Sequence, residues 1–203
     1  MEETRRPPVT VLPSAYFPSV DWMTELVRDG RVVIPIGEHF HRQTLRNRMT
    51  IGSANGPLSL TVPLEHPSSG QLAHQPLKDV RIAYSESWQR HHWQSILSSY
   101  RHSPFFPFLD EDFRPLFEKR YRYLLDLNTE ILRLVMCLLE IEESQVEYSD
   151  DPDLIAPDEV KIENSYPYYQ VFGSRHGFQP HLSVLDLLFN MGRESRLVLM
   201  KTR

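Results

Sequence analysis

Residues 52–64 read GSANGPLSLTVPL, and this stretch decides how the chain is interpreted. The pair Asn55-Gly56 lies between two strand-like stretches, and such a pair favours a tight turn between antiparallel strands. Leu58, Leu60 and Val62 then alternate with other residues, as the apolar face of a half-buried strand does. The stretch therefore predicts a β-hairpin that packs one face on a core.

Strand-like and helical patterns are distributed unevenly around this hairpin. Strand-like runs lie mainly before residue 85, and helical spacing dominates after it. The distribution predicts an α+β or mixed α/β fold, a single domain with a strand-rich N-terminal part and a helix-rich C-terminal part. The further strand-like runs are 9–12, 31–36, 80–84 and 145–148, and the helical stretches are 19–29, 85–100, 112–141 and 182–192.

The domain organisation follows from length and local composition. The chain has 203 residues, which suits one domain over residues 1–203. Residues 1–8 are polar and contain two prolines, so we expect a flexible tail. Residues 149–165 are acidic and contain proline, which predicts an exposed connector.

Charge and cysteine content exclude several classes of protein. The formal net charge is −5, so a globally basic nucleic-acid binder is disfavoured and we expect no nucleic-acid partner. The one cysteine excludes an intramolecular disulfide framework and a Cys-only metal site. Cys137 falls in an apolar helical pattern, which predicts a buried thiol.

No apolar run has the length of a signal peptide or approaches the roughly 20 residues of a membrane-spanning helix. We therefore expect a cytoplasmic protein without a membrane span.

Basic and imidazole side chains are concentrated in residues 39–48, HFHRQTLRNR. If this segment is extended, Arg46 and Arg48 project from one face. Guanidinium groups bind phosphate or carboxylate with two parallel hydrogen bonds, so the segment predicts an anion-binding strand. The structural alternative is a strand with one solvated polar face. No third metal ligand lies at suitable spacing, so no metal is expected here.

Two helical patterns carry further polar candidates. His92 follows Trp88 by one helical turn, so the indole can pack on an imidazole that could act as a general acid or base. Asp186 and Asn190 are also one turn apart, in an otherwise apolar helix, where polar groups need partners. The alternative in both cases is a hydrogen-bonded structural role. Sequence signatures for phosphate-binding loops, dinucleotides, serine hydrolases and zinc proteases are missing, so the cofactor is left unknown.

A series of short motifs follows a fixed order along nearly the whole chain. They are Tyr16-Phe17-Pro18, FHRQTLRNR at 40–48, LTVP at 60–63, Trp88-x-x-x-His92-Trp93, Tyr100-x-x-x-Pro104-Phe105-Phe106, LDLN at 125–128, Tyr168-x-Gln170-x-Phe172, Phe178-x-Pro180-x-Leu182-Ser183 and DLLFNMG at 186–192. Their order and spacing resemble those of the WbqC-like proteins of bacteria. The resemblance implies a cytosolic bacterial protein, and some relatives are encoded with genes for O-antigen or other surface polysaccharides.

The resemblance also implies site residues. Two departures from the family pattern bear on them: Arg42 stands where many relatives carry Lys, and Pro13-Ser14-Ala15 precedes Tyr16 where many carry Gln-Pro. Arginine cannot act as a nucleophile or base, so a lysine-dependent mechanism is not expected. The expected substrate-binding residues are Tyr16, Arg42, Arg46, Asn47, Arg48, Trp88, Tyr100, Gln170 and Asn190.

Two functions stay open. The first is a transferase or ligase-like enzyme that acts on an activated sugar or another anionic small molecule. In it the arginines bind the anion, and His41 or His92 moves a proton with Asp186 as the orienting carboxylate. The second is a non-catalytic binding or assembly module. The sequence does not decide the oligomeric state.

Overall fold

The structure is a computed structural model that describes residues 10–66 and 72–202. The tail predicted for residues 1–8 lies outside the described residues. The strands are β1 (Thr10–Val11), β2 (Val32–Pro35), β3 (Arg48–Ser53), β4 (Gly56–Thr61) and β5 (Val146–Ser149). The helices are α1 (Val20–Asp29), α2 (Trp88–Tyr100), α3 (Phe106–Glu118), α4 (Leu124–Leu138), α5 (Gly173–His176), α6 (Val184–Met191) and α7 (Ser195–Lys201).

The strands form two separate sheets. The first is parallel in the order β1-β2-β5, with Thr10 opposite Val32 and Val32 opposite Val146. The second is the antiparallel hairpin of β3 and β4, in which Ser53 pairs with Gly56. The hairpin predicted at Asn55-Gly56 is confirmed. The predicted class is also confirmed, because strands lie mostly in the N-terminal part and helices mostly in the C-terminal part.

The strand predicted at residues 80–84 is wrong. This segment makes only two single-residue bridges, Leu64 with Ile82 and Arg81 with Tyr123. Val80 ends a short 3-10 turn, so the chain is too constrained there to pair continuously with a neighbour. The alternation that suggested a strand reflects burial of Val80 and Ile82 in the core.

All the helices except α5 bury side chains in the core. In α1 the Ser19 hydroxyl accepts a hydrogen bond from the Trp22 amide, and Gly30 ends the helix in a left-handed conformation. In α4 the apolar stripe includes Leu127 and Ile131, both fully buried. Cys137 lies off that stripe and is exposed, so the predicted burial of its thiol is wrong.

The end of α6 depends on the absence of a side chain at Gly192. This residue has φ +54, in the region that glycine tolerates best, and it stands against the Phe105 ring. A Cβ placed there would lie 2.6 Å from Cε1 of Phe105. The Phe105 amide donates to the Phe189 carbonyl, so the ring cannot move away easily.

We predict that Gly192→Ala destabilises the protein more than Gly56→Ala. Both positions have positive φ, which costs about 1–2 kcal/mol for a residue with a Cβ. A Cβ at Gly56 meets nothing within 4 Å, whereas one at Gly192 overlaps the Phe105 ring. Urea unfolding of both variants measures the difference. Equal losses of unfolding free energy would contradict this packing constraint.

Candidate functional site

An open cavity of about 530 Å³ lies beside the β3–β4 hairpin. Its wall comes from the start of α1, the turn before β3, both hairpin strands, residues 158–161 and the residue before Leu182. The polar side chains on this wall include three cations, two carboxylates, four hydroxyls and one imidazole. They are Arg42, Arg48, Lys161, Asp158, Glu159, Ser19, Thr44, Thr50, Ser59 and His181.

The cations on this wall differ in how far they are already paired. Lys161 lies 2.7 Å from Glu159, so its charge is largely compensated. The Arg48 Nε–H donates to the Thr61 hydroxyl at 3.2 Å, and the Arg42 guanidinium lies 3.2 Å from Nδ1 of His66. Each arginine carries five N–H donors, and these contacts engage only part of them. The two arginines therefore keep donors for an anionic ligand.

The basic segment is not extended, contrary to one of our expectations. Residues 41–47 form turns, with Gln43 in a left-handed conformation at φ +59, and only Arg48 belongs to β3. Arg46 therefore does not share a face with Arg48: its side chain is fully buried, while that of Arg48 lines the cavity. Asn47 completes the turn by donating its side-chain amide to the Val62 carbonyl.

Arg46 turns inward because it is paired with Glu38. Arg46 Nε and Nη2 lie 2.8 and 2.7 Å from Oε1 of Glu38, and both side chains are at most 1% exposed. The other Glu38 oxygen accepts from the Ala156 amide at 3.0 Å, and Arg46 Nη2 donates to the Ala156 carbonyl. Both carboxylate oxygens of Glu38 thus accept hydrogen bonds, as a buried ion pair requires.

The same pair positions one wall of the cavity. Arg46 Nη1 lies 3.1 Å from Oδ1 of Asp158, which also contacts His41 Nδ1 at 2.7 Å. Two cationic or potentially cationic groups thus hold the Asp158 carboxylate. His41 reaches the cavity only through this contact and is not among the side chains that line it.

Tyr16, Trp88 and His92 form a separate aromatic group. The Tyr16 hydroxyl lies 2.9 Å from His92 Nδ1, and the Trp88 ring meets the imidazole edge to face at 5.1 Å. Trp88 and His92 line a second cavity, of about 340 Å³, together with residues of β4. Ser59 borders both cavities.

His92 is held neutral by its surroundings. Burial, with a smaller contribution from the neighbouring His91, lowers its pKa from 6.5 to about 4, against a hydrogen bond with the Thr61 backbone. A backbone carbonyl raises a histidine pKa by accepting the ring N–H, which leaves Nδ1 to accept from Tyr16. Both ring nitrogens are therefore engaged inside the fold.

Asp186 is the centre of a third group. Its Oδ1 accepts from the Tyr100 hydroxyl at 2.9 Å, and its Oδ2 accepts from the Tyr168 hydroxyl at 2.8 Å and the Gln170 amide at 3.0 Å. Burial raises the pKa of the Asp186 carboxyl, while these three donors oppose that rise. Asn190 donates to the Asp186 backbone carbonyl, as residues four apart on a helix can.

The structure therefore separates the residues predicted to act together. Arg42 and Arg48 line the large cavity, whereas Arg46, Asn47 and Asn190 contact the protein's own backbone or buried groups. The expected pairing of Asp186 with His41 or His92 is wrong. His41 instead contacts Asp158, and His92 contacts Tyr16. The oxygens of Asp186 already accept three hydrogen bonds from other side chains.

Sequence reasoning did not identify His181, Asp21, Lys161 or the hydroxyl side chains of the cavity. His181 occupies a variable position between Pro180 and Leu182 in the motif, and Asp21 belongs to none of the motifs. The two are 160 residues apart, and His181 Nδ1 lies 2.8 Å from Oδ2 of Asp21. No local spacing could have indicated this pair.

The fold and the cavity define an α/β protein with an open polar cavity against a β-hairpin. The chain belongs to the WbqC-like protein family, whose family model matches residues 14–158. No curated protein and no solved structure gives a significant match. Lys161, His181 and Asp186 lie beyond the matched residues.

Two kinds of feature are absent from residues 10–66 and 72–202. No helix among them is long and apolar enough to cross a membrane. Within residues 10–66 and 72–202, no three His, Cys, Asp or Glu side chains are grouped so that they could hold a metal ion.

We predict that Glu38→Ala lowers the unfolding free energy by about 3–5 kcal/mol, because it leaves the buried Arg46 charge with only the half-exposed Asp158 carboxylate as a partner. The matched control is Glu118→Ala, which removes the exposed partner of Arg114 and should cost less than about 1 kcal/mol. Urea unfolding with a shared m-value measures both. If Glu38→Ala does not fold, Glu38→Gln replaces it in the same comparison. Similar losses of unfolding free energy at Glu38 and at Glu118 would contradict the stabilising role assigned to the buried pair.

We also predict a specific pH dependence of stability from His92. Its pKa of about 4 in the folded state lies below that of an unfolded histidine, so the unfolded state binds the proton first as pH falls. Stability should therefore fall between about pH 6.5 and 4, by up to about 3 kcal/mol from this group. His92→Gln should flatten that slope, and His91→Gln is the matched control. A wild-type slope in His92→Gln would contradict the prediction.

Proposed function

We propose that the large cavity binds an anionic, hydroxyl-rich small molecule, and that the protein is a transferase or ligase-like enzyme acting on an activated sugar. The observation that carries the proposal is the combination of Arg42 and Arg48 with four hydroxyl side chains on one open wall. A sugar phosphate presents the matching groups, because its phosphate accepts from guanidinium and its hydroxyls both donate and accept.

The size and charge of the cavity support such a ligand. A volume of about 530 Å³ lies within the range of about 300–1,000 Å³ usual for small-molecule sites. Asp158 is bound by Arg46 and His41, and Glu159 is paired with Lys161, so neither carboxylate opposes an anion with its full charge. The arginine donors then set the local preference for negative charge.

The biological setting rests on the family resemblance. Some WbqC-like relatives are encoded with surface-polysaccharide genes, and precursors of such polymers are sugars activated by phosphate esters. We propose a cytoplasmic step in that biosynthesis. A nucleotide sugar is the donor class that combines a diphosphate with a polyhydroxylated ring.

The second candidate is a non-catalytic binding or assembly module. It is favoured by the separation of the predicted catalytic residues, because His92 and Asp186 are engaged within the fold. A module of this kind would bind the same anion without turnover. The two functions therefore share a ligand site and differ in whether a bound nucleotide sugar is broken down.

We predict that Arg48→Ala weakens binding of UDP-glucose by about 10-fold or more. A hydrogen bond between a guanidinium and a phosphate contributes about 1.5–3 kcal/mol, which corresponds to this loss. Isothermal titration calorimetry on the purified protein measures the dissociation constant. Thermal stabilisation by UDP-glucose, which follows from binding to the native state, provides an independent reading.

The matched control is Arg81→Ala. Arg81 lines a different shallow cavity, together with Arg120 and Arg122, and its removal changes the net charge by the same amount. Binding should be unchanged in this variant. If Arg81→Ala weakens binding and Arg48→Ala does not, the anion site lies at that other surface and the proposal fails.

A further inference from the structure

We propose that His181, oriented by Asp21, is the general base of this cavity and removes a proton from the acceptor that attacks the activated sugar. The inference rests on the proposed function, since it assigns chemistry to the same cavity. It adds an acid–base group that neither the motifs nor the family match identified.

The pair has the geometry of an imidazole held by a carboxylate. His181 Nδ1 lies 2.8 Å from Oδ2 of Asp21, whose side chain is fully buried, whereas the imidazole is 39% exposed and lines the cavity. The other carboxylate oxygen accepts from the Ile162 amide at 3.3 Å and the Ser165 hydroxyl at 3.5 Å. Asp21 is therefore fixed on the protein side, and His181 faces the open side.

Asp21 lies in the first turn of α1, at the positive end of the helix dipole. A carboxylate in this position accepts Nδ1–H of the imidazole, which fixes the tautomer with Nε2 unprotonated. Within the described residues Nε2 has no hydrogen-bond partner, so it is free to accept a proton.

The backbone around His181 is held in an unusual conformation. His181 has φ +64, in the left-handed region that residues with a Cβ rarely adopt. The Leu182 carbonyl accepts from the Val20 amide at 2.9 Å, and the Ser183 amide donates to the Thr50 carbonyl at 2.7 Å. These bonds tie the chain just after His181 to α1 and to β3. Backbone strain that is retained in this way is characteristic of functional positions.

The proposed step balances as a group transfer. The acceptor is a hydroxyl compound, and its oxygen forms a bond to the anomeric carbon of the sugar while its proton passes to His181 Nε2. The bond from that carbon to the phosphate oxygen breaks, and its electron pair leaves with the phosphate. Arg42 and Arg48 lie on the same wall and can bind the charge that develops on the phosphate.

The first test reads the tautomer directly and needs no substrate. In ¹⁵N-histidine NMR spectra, with His181→Asn used to assign the signals, the neutral His181 ring should be protonated at Nδ1. Asp21→Asn presents an amide N–H to Nδ1 and should move the proton to Nε2. A ring protonated at Nε2 in the wild type, or a tautomer that Asp21→Asn leaves unchanged, would overturn the proposal. Either result would be expected if the contact between His181 and Asp21 were only structural and held the ring in another tautomer.

The second test measures turnover with His181→Asn. Asparagine keeps an N–H that can reach Asp21, lacks the second nitrogen, and adopts the left-handed region more readily than most residues. We expect release of nucleotide from a panel of UDP-, dTDP-, GDP- and CMP-linked sugars, with glycerol as acceptor, to fall about 100-fold or more. Binding of the same nucleotide sugar should stay within about threefold of wild type.

The matched control is His176→Asn, whose imidazole is half-buried and contacts the Ala54 carbonyl outside the cavity wall. It should release nucleotide at the wild-type rate. Wild-type release by His181→Asn would overturn the general base while leaving the anion site intact. Binding without release by the wild type across the panel would overturn it in favour of the non-catalytic module. If the wild-type protein binds none of these nucleotide sugars, the proposed function is overturned, and the general base with it.

Discussion

The buried ion pair of Glu38 and Arg46 is the interaction on which the arrangement of this protein depends. It turns Arg46 away from solvent, so the basic segment folds as a series of turns rather than a strand. It also fixes Ala156 by a hydrogen bond and, through Asp158, the part of the cavity wall formed by residues 158–161. Two segments more than 100 residues apart in sequence are thus joined by one charge pair that water does not reach. Removing either partner would leave a charge where solvation cannot compensate it.

The fold was predictable where its causes are local. The Asn55-Gly56 turn acts over a few residues and occurs as predicted, and the Ser19 cap and Gly30 end of α1 are equally local. The strand expected at 80–84 failed because alternating burial of Val80 and Ile82 arises from core packing without a continuous neighbouring strand. Exposure of Cys137 was missed for a related reason: an apolar pattern around a helix does not show which side has a partner.

The candidate site was predictable only in part, because its members come together through tertiary contacts. Arg42 and Arg48 stood out as cations in an acidic chain, and both line the cavity. Arg46 looked equivalent to them in the sequence, and only Glu38 distinguishes it. His181 and Asp21 carried no local signal, since neither the spacing nor the motif around either residue refers to the other. Buried partners that no local motif indicates thus determine which polar residues turn inward and which line the cavity.

The route of the chain around the cavity has a consequence for protein synthesis. Its walls draw on residues from Ser19 to His181, so segments that leave the ribosome at widely separated times must meet before the cavity exists. Contacts between such distant segments carry a loop-closure cost and form late in folding. A nascent chain therefore carries Arg42 and Arg48 before the cavity around them has formed, and the cavity is complete only when the segment that contains His181 has docked.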